Sequence, residues 1–283
     1  EDVLKRFRGS NPIVNYYLGY IEDKKGNRAE AEKLFRSGSS MQVDYVFPFR
    51  LETVDVLKKA SSYLSDDAKP LYYLGTLFFD KQPEEAMECW QKAVSLDPQL
   101  AIAWRNLGWG YYNAMDDGAR AIEAYEKAIA IEKNEPIYYT ELDALYEMSN
   151  TPVEKRLRLF EGSNETVNKR DDSFIRQIVV LTLAGQPEKA VQYLDGRSFS
   201  YREGSSRVRE VLIDAHLMMG SKYMEEKNYK KALEEFMLAR VPDEEGGSAR
   251  AGAREVQVDY HIGKAYEAMG NRSKARSYFT MAA

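Results

Sequence analysis

The chain has 283 residues, 44% hydrophobic and 30% charged, with 40 basic and 45 acidic side chains for a formal charge of -5. Basic and acidic residues are well mixed and no basic block stands out, which excludes the footprint of a nucleic-acid binder. No stretch approaches the run of about eighteen apolar residues that a membrane-spanning helix needs, and the single cysteine, Cys89, excludes an internal disulfide framework or a thiolate metal cluster.

One cysteine leans weakly towards a reducing cytoplasmic compartment, but a periplasmic protein without disulfides fits as well. The chain starts at Glu1 with no apolar leader, which reads as a piece of a longer protein. Its length suits one extended helical array as readily as two globules.

From the N-terminus onward a pattern of small and aromatic residues recurs. It begins with Leu18-Gly19, Ala31 and Phe35, so 1–38 reads as an N-terminal repeat. From Phe35 to the corresponding Trp90 is 55 positions, so 39–66 is expected to be an irregular helical segment. It holds Asp44-Tyr45-Val46-Phe47-Pro48-Phe49-Arg50, then an amphipathic stretch through Leu51, Val54, Val56, Leu57 and Ala60.

The regular centre, 67–162, opens with Leu74-Gly75, Phe78, Ala86, Trp90, Ala93 and Pro98. Next come Trp104, Leu107, Gly108, Tyr111, Ala121, Tyr125 and Pro136, spaced as W-x2-L-G-x2-Y and its continuation. Ala86 to Ala121 and Trp90 to Tyr125 are both 35 positions. A third central unit has Leu142, Tyr146 and Phe160, with Asp143 where glycine stands elsewhere.

Residues 163–206 form a degenerate repeat, marked by Ala190 and Leu194, and a loop expected at 196–206. The C-terminal repeats, 207–283, carry Gly220, Tyr223, Ala232, Phe236 and then Gly263, Tyr266, Ala275, Phe279. Between them 241–253 is rich in Pro, Gly, Ser and charge and reads as an inserted loop, a connector or a binding loop. Small residues let paired helices approach closely, and large ones at three- and four-residue spacing fill the seam. One hairpin cannot cover its own apolar face, so successive units must stack.

By these residues the chain resembles the tetratricopeptide repeat family over nearly its whole length. The resemblance implies an all-α fold, a single right-handed α-solenoid of antiparallel helix pairs over 1–283. Tyr45-Val46-Phe47-Pro48-Phe49-Arg50, Trp104-Arg105-Asn106-Leu107 and the stretch from Arg197-Ser198-Phe199 to Glu203-Gly204 also resemble the helical tail of large bacterial proteins. Those proteins carry β-sandwich domains similar to galactose mutarotase ahead of the repeats.

Catalytic chemistry finds no support in the residues. His216 and His261 are the only histidines and lack metal-ligand spacing, so no metal or cofactor is expected. Glu84-Glu85 and Glu234-Glu235 read as solvated helix faces, Gly246-Gly247 lacks the setting of a phosphate loop, and Cys89 beside Trp90 reads as packing.

Binding is the stronger expectation. In the resembling proteins the first helices line a concave groove with their second, fifth, ninth, twelfth and thirteenth positions. With Gly19, Gly75 and Gly108 at position eight, that groove would hold Tyr16, Tyr20, Tyr72, Thr76, Phe79, Arg105, Trp109, Tyr112 and Asn113. Aromatic rings and an Arg fork suit a peptide or protein segment, and a sugar ring could stack on Trp109. Core packing is the competing role, above all for Tyr16, Tyr20 and Phe79.

Members that clamp a carboxylate place Lys and Asn at positions five and nine. Here the pairs are Tyr16/Tyr20, Tyr72/Thr76 and Arg105/Trp109, so that subtype is set aside. The expected function is a non-catalytic scaffold for a peptide or protein. The alternatives are an accessory tail packed on an adjoining β-sandwich domain, with glycan as a further ligand class, and a module that self-associates through uncapped ends.

Overall fold

The computed structural model describes residues 2–7, 9–194, 205–240 and 253–283, with the side chains of 205–209, 253 and 254 left aside. Seventeen helices and no strands occur among the described residues. The chain divides into two compact units, Glu1–Asn134 and Glu135–Ala283.

The first unit opens with a short helix, α1 (Asp2–Arg6), and then pairs α2 (Pro12–Lys24) with α3 (Arg28–Ser39). A single helix follows, α4 (Thr53–Tyr63), packed on α2 and on the next pair, α5 (Ala68–Phe78) with α6 (Pro83–Leu96). The unit ends with α7 (Ala101–Asn113) paired to α8 (Gly118–Ile131).

The second unit holds four pairs. They are α9 (Pro136–Met148) with α10 (Val153–Phe160), α12 (Asp171–Leu183) with α13 (Pro187–Leu194), α14 (Ser205–Glu225) with α15 (Tyr229–Ala239), and α16 (Ala253–Ala268) with α17 (Arg272–Met281). A one-turn helix, α11 (Asn164–Val167), links the first two pairs.

The helix starts follow from the repeat. Counting back from position eight places position one on the first residue of five leading helices: Pro12, Ala68, Ala101, Pro136 and Asp171. Pro12 and Pro136 suit that place because a helix's first N–H needs no partner. Asn11 and Asp67 cap by accepting from Ile13 N and Lys69 N, and Asp117, Asn228 and Asn271 cap second helices in the same way.

Between the helices of six of the seven pairs the chain turns through a left-handed residue, at Gly26, Asp116, Asn150, Gly185, Lys227 and Gly270. Three of these are glycine, which takes that conformation without a Cβ penalty.

Each signature glycine faces the aromatic of its partner helix. A Cβ on Gly19 would lie 2.7 Å from the Phe35 ring, on Gly75 2.4 Å from Trp90, and on Gly108 2.5 Å from Tyr125. On Gly220 and Gly263 it would meet Phe236 and Phe279 at 2.2 and 2.5 Å. These separations are shorter than any van der Waals contact, so the ring occupies the space a side chain would need.

Two pairs depart from this lock. The glycine position of the α12/α13 pair is Ile178, fully buried in one apolar cluster with Leu194, so a smaller partner accompanies a larger residue. In the α9/α10 pair it is Asp143, which is ion-paired.

The loops differ in part from expectation. The proposed loop at 196–206 lies outside the described residues up to 204, while Ser205 and Ser206 already belong to α14. The 241–253 insertion and Gly246-Gly247 also lie outside them, except Ala253, which opens α16. Leu51, read as part of the amphipathic stretch, precedes α4 and is exposed, whereas Val56, Leu57 and Ala60 are core.

Candidate functional site

The expected groove residues all fall in the first unit, on α2, α5 and α7 and at the C-terminal cap of α5. The structure divides them. Tyr16 and Tyr72, expected on the groove, are core residues instead. Tyr16 lies edge-on to Tyr73 with ring centroids 6.0 Å apart, and its hydroxyl shares a 2.7 Å hydrogen bond with Ser39 Oγ. Burial raises its hydroxyl pKa well above the ordinary value. Tyr72 packs on Tyr73 at 5.1 Å, and burial pushes its pKa up to about 12.

Phe79 caps α5 and is half-buried against Trp90, ring centroids 5.3 Å apart. Tyr20 is half-buried, with the Lys24 ammonium 5.1 Å from its ring centre. Both are therefore only partly exposed.

The remaining residues come together on α7. Trp109 and Tyr112 stay 42% and 36% exposed, unusual for side chains of this size on a helix whose opposite face is core. The Arg105 guanidinium lies 5.6 Å from the Trp109 ring centre, within cation–π range. Arg105 Nη1 donates to Asn106 Oδ1 at 3.3 Å, and Asn106 Nδ2 donates to Thr76 Oγ1 at 3.4 Å. Thr76 Oγ1 in turn donates to the Tyr72 carbonyl at 3.0 Å, so α5 and α7 are joined by polar links under the patch. Asn113 is exposed and donates from Nδ2 to the Trp109 carbonyl at 2.9 Å.

The helix behind this patch is firmly held. Gly110 faces α6 so closely that a Cβ would lie 2.2 Å from Met87 Sδ. Trp104 donates from Nε1 to the Pro98 carbonyl at 3.0 Å, with the Lys127 ammonium 4.5 Å from its ring centre. A rigid backbone therefore carries the exposed side chains, which lowers the entropy lost on binding.

Sequence reasoning missed a second exposed surface. Val43, Val46 and Pro48 are buried while Tyr45, Phe47 and Phe49 point outward, and Tyr45 is 86% exposed. After a turn closed by Val46 N donating to the Val43 carbonyl at 3.3 Å, exposed and buried residues alternate from Tyr45 to Phe49. Tyr45 takes φ +59°, and the Arg50 guanidinium lies 5.7 Å from the Phe49 ring centre. In the sequence Tyr45 to Phe49 are a continuous apolar run, so nothing there marks which of them face the core.

His216 is buried and shares a 2.8 Å contact with Glu235, so Glu235 is paired, not solvated. Glu84 and Glu85 are exposed in the first turn of α6. Burial raises the pKa of the half-buried Cys89 thiol and lowers that of His261. No group of three or more His, Cys, Asp or Glu that could hold a metal occurs among the described residues, and none of the described helices is long and apolar enough to cross a membrane.

Paired antiparallel helices locked by glycine against an aromatic ring, with an aromatic and Arg face left open, define an all-helical repeat fold similar to that of tetratricopeptide repeats. Residues 257–283, the last helix pair, match the family model described as tetratricopeptide repeat. The solved structure of Naa15/Naa10 bound to HypK-THB shares the fold at TM-score 0.52 and 12% identity, over 96% of this chain and 38% of that one. The chain is also similar to YrrB, a TPR protein with an unusual peptide-binding site, at TM-score 0.47 and 17% identity over 79% of this chain and 97% of that one. MamA is similar at TM-score 0.32 and 18% identity, over 93% and 91% of the two chains.

Proposed function

We infer that the chain is a non-catalytic scaffold that holds a peptide or protein segment against α7. The observation that carries this reading is the patch of Arg105, Trp109, Tyr112 and Asn113 on one helix, with Thr76 linked beneath it and Phe79 on the neighbouring pair. Exposed Trp, Tyr and Arg are the side chains that most often dominate protein interfaces. The Arg fork and the Asn113 amide can satisfy a peptide backbone, while the rings bury its side chains.

The test is capture from the native source by the parent chain and by Arg105→Ala/Trp109→Ala/Tyr112→Ala, with circular dichroism confirming both folds. A partner lost only by the variant supports the reading, and a partner kept by both places the interface elsewhere.

The bare ridge of Tyr45, Phe47, Phe49 and Leu51 favours a second reading, in which the chain packs as a helical accessory on an adjoining β-sandwich domain. Four large apolar side chains in seven residues form a patch of the kind that marks an interaction surface. Protection of 43–51 from hydrogen exchange when such a domain is attached supports it, and unchanged exchange counts against it. Light scattering over a concentration series separates both readings from self-association.

A further inference from the structure

The second unit contains a cavity of about 490 Å³ between α10 and α13, over α12. It arises because α10 is only 8 residues long where α6 and α8 have 14, so the second helix stops before covering its neighbour. Gly162, at φ +73°, then turns the chain into α11, which forms one wall.

The lining contains a residue that repeat packing alone does not explain. Gln177 occupies the position held by Leu18, Leu74, Leu107 and Leu142 in four other pairs, all of them buried. Gln177 is itself 3% exposed, and its Oε1 finds no hydrogen-bond partner among the described residues. Asn164 Oδ1, in the α11 wall of the same cavity, is likewise buried and unpartnered. Each orphaned buried acceptor is destabilising, whereas leucine at the first position would leave none.

Two buried acceptors call for a ligand rich in donors. At the rim stand the carboxylates of Glu161 and Glu165 against the single ammonium of Lys189, and the half-buried Tyr193 offers a ring wall. An excess of negative charge around orphaned carbonyl oxygens selects a cation. Among biological cations the guanidinium presents five N–H donors in a flat fork, enough for amide and carboxylate acceptors together. The volume suits such a head group with its aliphatic stem.

We propose that this cavity is a binding site for a guanidinium group, supplied by free arginine or by an arginine side chain of a partner. It lies in the second unit and does not depend on the α7 patch.

The test is calorimetric titration of the full chain with arginine amide, with the tripeptide Ala-Arg-Ala, and with citrulline amide, a neutral near-isostere. Both arginine probes should bind, and citrulline amide should bind about tenfold more weakly or worse, since the charge-assisted bonds are lost. Tighter binding of the tripeptide identifies a partner's side chain as the source, and equal binding identifies the small molecule.

Gln177→Leu restores the residue usual at this position, so it should fold with an equal or higher Tm while binding falls about tenfold or more. Glu165→Gln, a surface change, should weaken binding without altering Tm. Equal affinity for arginine and citrulline amides, absence of arginine binding, preference for a neutral sugar, or unchanged affinity in Gln177→Leu would overturn the proposal.

Discussion

Asp143 accepts both arms of the Arg156 guanidinium, Nε to Oδ1 at 2.8 Å and Nη2 to Oδ2 at 3.0 Å, where other repeats set glycine against an aromatic ring. Arg176 Nη1 adds a bond to Asp143 Oδ2 at 2.9 Å and another to Glu147 Oε2 at 3.1 Å. The carboxylate is fully buried, so its charge is balanced inside the fold by two guanidinium groups from α10 and α12. A steric lock has been replaced by an electrostatic one, and it ties the α9/α10 pair to the next.

Removing one side of this network should be costly. Asp143→Ala leaves the buried Arg156 facing no compensating charge at that position, with an expected loss of about 3–5 kcal/mol. Asp143→Ala/Arg156→Leu should recover a large part of that loss, because the buried Arg156 charge is gone and the remaining Arg176 keeps Glu147. Urea denaturation of the two variants and the parent checks both statements.

The glycine lock makes a complementary prediction. In Gly108→Ala the new methyl would lie 2.5 Å from Tyr125 Cδ2, so α7 and α8 must move apart or the ring must leave its rotamer. The expected destabilisation is about 1–3 kcal/mol. Thermal unfolding followed by circular dichroism measures it, and a change below a few tenths would show the contact to be soft.

Lys227 is exposed and takes φ +59° in the turn between α14 and α15, where Gly26, Gly185 and Gly270 stand in other pairs. A side chain there costs about 1–2 kcal/mol relative to right-handed backbone, partly offset by the entropy glycine loses on folding. Lys227→Gly should therefore stabilise the chain by about 0.5–1 kcal/mol. A lower Tm would show that the lysine stem makes a compensating contact.

The α2/α4 contact should respond to acid. Tyr63 on α4 donates its hydroxyl to Asp23 on α2, and the Lys59 ammonium stands 3.3 Å from the same carboxylate. The Tyr63 bond, then Lys59, holds the Asp23 pKa below its ordinary value. A depressed carboxylate contributes stability that is complete above its unfolded pKa of about 3.9 and is lost as pH falls through the lower folded value. Asp23→Asn should flatten the acid limb of stability against pH below about 4, while leaving the neutral side nearly level. Denaturant midpoints measured from pH 2 to pH 7 give the two slopes.

The helix pairs were legible in the sequence because their cause is local and periodic. Gly19, Gly75, Gly108, Gly220 and Gly263 each stand 15 to 17 residues before the ring they face, so spacing alone located these five pairs. The groove positions of the resembling proteins grouped Arg105, Trp109, Tyr112 and Asn113 on one helix face before any coordinates. What periodicity leaves open is what lies on that face. Tyr16 and Tyr72 share position five with Arg105, yet both are covered while Arg105 is partly open, because burial depends on the neighbouring pair and on the unrepeated segment 40–63.

Side-chain partners outside the period were equally hidden. Nothing in the spacing marks Arg156 and Arg176 as the partners of Asp143, since the charges converge only after α9, α10 and α12 pack. The cavity bordered by Gln177 required the end of α10 to be placed against α13. Sequence by itself determined the repeated hairpin, a matter of helix period and of space at small residues. Tertiary structure decided which surfaces stay open and which charges meet, because burial and pairing belong to neighbours in space rather than in the chain.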